Sequence, residues 1–284
     1  MLPLKKIYID SRHRTADSVS SSNFKIELPY SLTFPDNTAF FITDICIPHV
    51  FQLIERDAND RIYFCYTARG VGGVNNIFYT YAVLSPGGYS GENLAAAIQS
   101  AMNINVEPGF SISFAVSWDP ASFSLNVSCA GTGTSFKFLT NAEVVSKEIR
   151  NMYGKSLDPA DLNSANDILK IDTPMRFYNA GETFNTDFVR LQPISNIYIT
   201  SPNFGSFDTL SAFSNNVVKK VPVNVPYGFM IIDQNVAYND FLNCSKQTLR
   251  TIEFHLKDSR GEYINMHGMN VSFAIIFHKF NFDY

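Results

Sequence analysis

Histidine and cysteine are the side chains best suited to hold a metal, and the histidine spacing in this sequence argues against a metal site. The five histidines are His13, His49, His255, His267 and His278. No neighbouring pair has the short spacing that zinc ligands usually share. His255 and His278 fall inside strand-like runs, where local hydrogen bonds satisfy an imidazole more often than a metal does.

The cysteines are equally dispersed. They are Cys46, Cys65, Cys129 and Cys244, and no Cys-x-x-Cys pair occurs. This spacing excludes the usual zinc motifs and provides no disulfide framework. Cys46 and Cys65 lie in apolar runs, where a thiol packs as a small hydrophobic side chain. We therefore expect no cofactor, and we expect the chain to fold in a reducing compartment.

Motifs for catalysis and calcium binding are weak or absent. The sequence has no Gly-x-Ser-x-Gly nucleophile elbow and no Walker A phosphate loop. The glycines of residues 70–73 do not open a helix and are more typical of a hairpin tip. Residues 57–60 (DAND) offer oxygen ligands for calcium, but this composition is more typical of a turn. Carboxylates are scattered, so no pair suggests acid–base chemistry, and the sequence predicts that the protein is not an enzyme.

Apolar and polar residues alternate with a period of two along most of the chain. In residues 23–30 (NFKIELPY), Phe24, Ile26 and Leu28 fall on one face with charged residues between them. Similar runs occupy residues 39–50, 61–67, 77–84, 196–200, 217–225, 228–232, 248–256 and 271–280. Many short strands between turn-forming clusters predict a mainly β fold, either a sandwich or a jelly roll.

One segment has a helical pattern. Leu94, Ile98 and Met102 recur at a spacing of four after Ser90, which predicts an amphipathic helix with Ser90 as its N-cap. Two strands and a short helix over residues 142–152 follow, so this segment is interpreted as a small α+β module inserted into the β domain.

The sequence therefore divides into three parts. Residues 1–20 form an N-terminal arm, residues 21–84 and 183–284 form a discontinuous β domain, and residues 85–182 form the inserted α+β module.

Charge is scarce in this chain and aromatic residues are abundant. Charged residues make up 17%, and there are 25 Phe and 14 Tyr against one Trp. Ordinary soluble domains carry about 25% charged residues. Either part of the surface is covered by partner proteins, or the chain has an unusually Phe-rich core, and composition leaves both explanations open.

Positive charge is concentrated at the N-terminus. Residues 1–14 contain Lys5, Lys6, Arg12 and Arg14 against Asp10, a net of +3, which leaves −7 on the remainder of a chain whose total is −4. The total argues against a protein that mainly binds nucleic acid. A basic arm suits contact with an acidic neighbour or with packaged nucleic acid, and a solvated terminus is the alternative. We expect this arm to contribute contacts and no core.

Targeting signals are not evident. The first residues, MLPLKKIYIDSRHR, lack the apolar stretch of a signal peptide. No run of 18 uninterrupted apolar residues occurs, so no membrane span is expected. These features predict a soluble protein that is made inside a cell.

Stretches near both ends resemble one family of viral proteins. They are IYIDSRHRTADSVSSSNFKIELP and ITDICIPHVFQLIE near the start, and IYITSPNFGSFDTL, VVKKVPVNVPYG and QTLRTIEFHLKDSRGEYINMHGMNVSFAIIF near the end. These stretches resemble parts of penton proteins, the vertex capsid proteins of polinton-like viruses, adintoviruses and related virophages. The inserted GGYSGENLAAAIQSAMN is similar to modules of various viral structural proteins and is less specific.

The resemblance implies a single jelly roll that assembles as a homopentamer at the fivefold vertices of an icosahedral shell. Its partners would be four sister copies and a double jelly-roll major capsid protein. The inserted module would project outward, towards a fibre or host receptor, and the basic arm would run along the inner shell. The implied location is the virion, after synthesis and assembly inside a host cell.

Two other classes of protein remain as alternatives. A free-standing receptor- or glycan-binding jelly-roll spike module would explain the fold, but not the basic arm or the paired terminal stretches. A jelly-roll enzyme of the cupin or glycosidase kind needs clustered ligands or carboxylates on neighbouring strands, and that spacing is missing.

Overall fold

The structure is a computed structural model that describes residues 4–69, 75–146, 162–204, 216–236 and 240–279. The β-strands in these residues are β1 Lys5–Asp10, β2 Asn23–Thr33, β3 Thr38–Pro48, β4 Arg61–Arg69, β5 Asn75–Val83, β6 Ser113–Asp119, β7 Ser124–Ala130, β8 Ser135–Phe138, β9 Tyr178–Asn179, β10 Thr183–Asn185, β11 Asn196–Thr200, β12 Val217–Pro222, β13 Met230–Asp233, β14 Leu242–Asn243, β15 Thr248–Lys257 and β16 Ser272–Lys279. The α-helices are α1 Gly91–Ile104, α2 Asn141–Ser146 and α3 Asn166–Leu169, and one 3-10 turn covers Ser11–His13.

The chain divides into two units. The terminal unit comprises Met1–Phe51 and Ile194–Tyr284, and the inserted unit comprises Gln52–Pro193. The inserted unit begins before residue 85 and ends after residue 182, which are the limits that the sequence patterns indicated.

The terminal unit contains two antiparallel sheets. One, here called the β1 sheet, has the order β1-β16-β3-β13, with β14 also pairing with β3. The other, the β2 sheet, has the order β12-β11-β15-β2. Nine strands shared between two such sheets, with partners that are distant in sequence, form a jelly roll, and this confirms the predicted fold class.

Phenylalanine dominates the core of the terminal unit. Phe24, Ile26 and Leu28 are buried as their alternation predicts. Phe34 stacks on Phe277 with ring centroids 4.3 Å apart. A Phe-rich core therefore accounts for part of the aromatic content, so the composition alone is not evidence of a hidden surface.

The predicted N-terminal arm, residues 1–20, contains a strand of the β1 sheet. Residues Lys5–Asp10 pair along their whole length with β16. Ile9 is 2% exposed and belongs to the core, with Ile7 packed against it. The expectation that this segment contributes no core is wrong. The physical reason is that Ile7 and Ile9 give β1 an apolar face, which the neighbouring positive charges concealed in the sequence.

The inserted unit has its own sheets. Their strand orders are β5-β4-β8-β9 and β10-β7-β6. Strand β4 pairs with β8, which places the β4–β5 hairpin in the inserted unit and not in the jelly roll. The predicted boundary at residue 85 differs for this reason.

Helix α1 follows its prediction closely. The Ser90 hydroxyl accepts a hydrogen bond from the Asn93 N–H at 3.2 Å, which is N-cap geometry. Leu94, Ile98 and Met102 are all buried in the core of the inserted unit. The apolar face that these three residues form therefore packs α1 into the core of the inserted unit.

The other helical segments differ from the sequence interpretation. The described part of the helix predicted over residues 142–152 is α2, Asn141–Ser146, and the rest of that prediction lies outside the described residues. A further short helix, α3, covers the four residues Asn166–Leu169.

Candidate assembly surface

Potential metal ligands are used in local contacts. In the described part of the chain, no group of three or more His, Cys, Asp or Glu side chains is arranged to hold a metal. His49 Nδ1 lies 2.8 Å from the carbonyl oxygen of Val225, and its ring packs on Phe51 at 4.1 Å. Burial lowers the pKa of His49, although the hydrogen bond to Val225 opposes that shift. His255 Nε2 lies 2.8 Å from a Glu253 carboxylate oxygen.

The 57–60 segment is a turn held by its own side chains. The Asn59 side-chain oxygen accepts the Glu55 N–H at 2.7 Å, and its amide donates to the Leu53 carbonyl at 3.0 Å. The Asp60 carboxylate accepts the Asp57 N–H at 3.0 Å. These oxygens serve the backbone, as plain turn chemistry requires.

The two N-terminal lysines lie at the start of β1. Lys5 donates to the Tyr30 hydroxyl, and its ammonium lies 5.0 Å from the centre of the Tyr30 ring. Lys6 forms an ion pair of 2.7 Å with Asp44. The hydrogen bond to Asp44 raises the pKa of Lys6, with a further contribution from Tyr8.

A β-bulge aims Asp44 at Lys6. The β16–β3 register shifts between the pairs Ser272↔Cys46 and Ala274↔Thr43, and Asp44 has φ +51° within that irregularity. Bulges of this kind redirect a side chain relative to the regular strand. The pairing of Lys6 therefore depends on a local backbone feature that cannot be read from the sequence.

The two N-terminal arginines lie beyond the other end of β1. Arg12 forms an ion pair of 2.9 Å with Asp10, whose side chain also caps the 3-10 turn. Partial burial raises the pKa of Asp10, but hydrogen bonds from Arg12 outweigh it, and the net pKa is lowered. Arg14 donates to the Ser11 carbonyl at 2.9 Å.

The structure does not gather the four predicted cations into one cluster. About 17 Å of extended strand separates Lys5 from Asp10, at roughly 3.3 Å per residue. Lys6 and Arg12 are neutralised by carboxylates, whereas Lys5 contacts the Tyr30 hydroxyl and Arg14 contacts the Ser11 carbonyl, which are neutral groups. The lysine end and the arginine end are therefore separate features of the surface.

A groove lies between the edge strands of the two jelly-roll sheets. It measures about 300 Å³ and is lined by residues 5–8 of β1 and by Leu28, Pro29, Tyr30 and Leu32 of β2. Four residues of β2, 28–31, face the single residue Arg250 of β15, because the register jumps from Leu32↔Leu249 to Glu27↔Thr251. Arg250 fixes this bulge by donating to the Glu27 carboxylate at 2.9 Å and to the Pro29 carbonyl at 3.2 Å.

Large apolar side chains are exposed at both edges of the β1 sheet. On the β1 side they are Leu4, Tyr8 and, across the groove, Tyr30. Next to and on β13 they are Tyr227, Phe229, Met230 and Ile232. Sequence reasoning missed these residues, although the alternation in KKIYID and in FMIID does place Tyr8, Met230 and Ile232 opposite the buried isoleucines.

The described residues contain no helix that is both long and apolar enough to cross a membrane.

Comparison with known proteins gives matches at the level of structure. No family model matches the sequence, and no curated protein matches it significantly. The crystal structure of the mavirus penton protein is similar with a TM-score of 0.50 and 12% identity, over 97% of this chain and 100% of that chain. A chain in the cryo-EM structure of the Sputnik virophage aligns with a TM-score of 0.44 and 10% identity, over 96% of this chain and 98% of that chain. At these identities the similarity to the mavirus protein establishes the fold.

Proposed function

We propose that this chain is a structural capsid protein, the penton that fills the fivefold vertices of an icosahedral viral shell. The observation that carries the proposal is the structural similarity to the mavirus penton protein, which covers 97% of this chain and 100% of that one. A jelly roll alone is shared by many unrelated proteins, so it is weak evidence of function. A match over nearly the whole of both chains includes the inserted unit as well, and this favours the penton over other jelly rolls.

The surface of the terminal unit supports an assembly role. Phe229 is 63% exposed and Tyr8 is 74% exposed, and each has further exposed apolar residues close to it in sequence. Exposed apolar side chains that group together are typical of surfaces that bind other proteins. Each edge of the β1 sheet is thus suited to contact with a neighbouring subunit.

The proposal includes specific partners. Four sister copies would complete a homopentamer, in which a head-to-tail interface closes the ring. The surrounding capsomers would be a double jelly-roll major capsid protein. Lys5, Lys6, Arg12 and Arg14 would supply the only nucleic-acid contact that we propose, and the inserted unit is the part that we assign to a fibre or host receptor. The location of the assembled protein would be the virion, and synthesis would take place in the host cell.

Light scattering on the purified chain tests the proposal. One chain has a mass of 31.9 kDa, so a closed ring of five copies has about 160 kDa. We expect this mass for the chain alone, or for the chain in the presence of the major capsid protein. A strict monomer under both conditions that binds glycans tightly would contradict the proposal and favour the free-standing spike module.

A further inference from the structure

Among the described residues, no strand pairs with the outer side of either terminal strand of the β1 sheet, and the first of these two edges is β1. The Ser11 N–H bonds to the Val271 carbonyl at 2.9 Å, in register with the β1–β16 pairs. In an antiparallel ladder every second residue bonds to the partner strand, and the residues between them point their backbone groups the other way. The N–H and C=O groups of Lys6, Tyr8 and Asp10 therefore point away from β16, towards the outside of the sheet.

The second open edge is β13. The His49 N–H bonds to the Phe229 carbonyl at 2.9 Å, in register with the β13–β3 pairs. By the same alternation, the backbone groups of Met230 and Ile232 point away from β3. Pro48 faces Met230 in this register, and its lack of an N–H is compatible with a position that makes no ladder bond.

The side chains at these two edges match in character. Tyr8 is 74% exposed, Ile232 56% and Met230 47%, and all three lie on the face of the sheet opposite to the core residues Ile9 and Ile231. Joining the two edges would place these apolar side chains side by side on one face, as cross-strand neighbours.

The strand directions also match. All pairs in the order β1-β16-β3-β13 are antiparallel, so β1 and β13 run in opposite directions. When two copies are placed edge to edge in the same orientation, β1 of one copy is antiparallel to β13 of the next. A rotational ring requires this kind of contact, which joins two different surfaces of the same chain.

In the inserted unit, by contrast, side chains occupy the backbone groups of the edge strand β6. Strand β6 ends the β10-β7-β6 sheet, and side chains of α1 cover its backbone. Asn103 accepts the Phe114 N–H and donates to the Phe114 carbonyl, at 2.8 and 2.9 Å, and Gln99 accepts the Val116 N–H at 2.9 Å. An uncovered edge is a template for pairing with another strand, so the contrast with β1 and β13 is informative.

From these features we propose that β1 of one copy pairs antiparallel with β13 of a second copy, which extends the β1 sheet across the subunit boundary. This inference rests on the proposed ring of identical subunits and names the surfaces that form it. Main-chain hydrogen bonds supply the attraction, and the contact of Tyr8 with Met230 and Ile232 sets the register.

Engineered disulfides test the contact directly. Tyr8→Cys and Ile232→Cys are introduced in a Cys46→Ser background, because Cys46 faces Ile232 in the register of β3 and β13 and would compete for it. Residues directly opposite in an antiparallel ladder have Cα atoms about 5.5 Å apart or closer, within the range of a disulfide. Met230→Cys replaces Ile232→Cys to sample the register that is shifted by two residues.

The pattern of cross-links distinguishes pairing of β1 with β13 from pairing of β1 with β1 and from a ring without strand pairing. We expect the double variant to give an oxidised ladder of two to five chains, a mixture of the two single variants to give dimers only, and each single variant alone to give none. Dimers from Tyr8→Cys alone would show β1 pairing with β1 and would overturn the inference. A pentamer by light scattering that forms no cross-link in either register would also overturn it, while leaving the proposed function intact.

Proline substitution gives an independent readout. Tyr8→Pro removes the tyrosine side chain and, from the backbone, only an outward N–H, which edge strands tolerate, so the monomer should fold with an unchanged circular dichroism spectrum. We expect the pentamer fraction to fall at least tenfold, while the matched control Tyr8→Val, which keeps the N–H, falls less. Pentamers of Tyr8→Pro at the wild-type level would contradict the pairing. A chain that is monomeric without any substitution, with and without the major capsid protein, would instead contradict the proposed function.

Discussion

The contact between Gly91 and Trp118 allows a sharp test of the packing in the inserted unit. Gly91 is buried at the first position of α1, directly after the N-cap Ser90. A Cβ atom built at Gly91 would lie 2.1 Å from Cε2 and 2.2 Å from Cδ2 of the Trp118 indole. We therefore predict that Gly91→Ala destabilises the inserted unit, because the indole has to move to admit one methyl group.

The change in the free energy of unfolding caused by Gly91→Ala follows from two opposing effects. Non-bonded carbon atoms favour separations of about 3.5–4.0 Å, so the new methyl group would be about 1.4 Å too close. Overpacking of this kind costs roughly 1–3 kcal/mol. Replacing Gly by Ala in a helix gains up to about 1 kcal/mol, and less at the first position. We expect a net loss of about 1–2 kcal/mol in the free energy of unfolding.

Urea unfolding provides the assay. Trp118 is the single tryptophan of the chain, so its fluorescence reports on the inserted unit. Gly87→Ala is the matched control, because the nearest atom to its Cβ would be Cε2 of Tyr89 at an ordinary 3.9 Å. In a Trp118→Leu background, followed by circular dichroism, Gly91→Ala should lose most of its cost. A Gly91→Ala variant as stable as the parent, or more stable, would refute the steric argument.

Three further predictions concern both units. Ile9→Ala should lower the free energy of unfolding by about 2–5 kcal/mol in urea, because Ile9 lies in the core; a loss below about 0.5 kcal/mol would contradict the core position of β1. Burial holds the pKa of His49 below 6.5, so the unfolded chain takes up a proton first and the protein should lose stability as the pH falls below 6.5. In thermal unfolding, His49→Gln should remove the loss of stability that His49 causes below pH 6.5. A variant whose midpoint temperature depends on pH as the wild type's does would contradict this role of His49. Lys137 forms an ion pair of 2.5 Å with Glu143. Burial raises the pKa of Glu143, but Lys137 and Thr140 outweigh it and leave the pKa below 4.5, so the pair stabilises above that pH. Lys137→Met should cost about 1–3 kcal/mol at pH 7 and less as the pH falls through the pKa of folded Glu143, and an equal cost at both pH values would contradict the pairing.

Local patterns in the sequence correctly predicted individual strands and helix α1. The alternation of Phe24, Ile26 and Leu28 located a real strand, and the spacing of Leu94 and Ile98 located α1. Such patterns report on which face of an element is buried, because burial repeats with the period of the backbone. They do not report on which strands are neighbours.

The choice of pairing partner explains why the inserted unit begins before residue 85. Strands β4 and β5 alternate like those of the jelly roll, so their pattern cannot tell which sheet they join. Their membership of the inserted unit depends on the pairing of β4 with β8 about 70 residues later, and such non-local pairing is not encoded in local periodicity.

The candidate surface was predicted only in part. Four basic residues were identified by charge, but the neutralisation of Lys6 depends on the bulge at Asp44, and the groove depends on the bulge opposite Arg250. Bulges are set by pairing across strands, so single-sequence reasoning does not find them. The open edges at Tyr8 and Ile232 likewise become visible only when the order of strands in the sheet is known.

Electron microscopy of the purified chain, alone and after mixing with a double jelly-roll major capsid protein, would show whether the chain forms the fivefold ring of a capsid vertex. A capsid-vertex protein should form rings of five copies, with the inserted units in fivefold-related positions. Particles without fivefold symmetry in both samples would contradict the assignment of this chain to a capsid vertex.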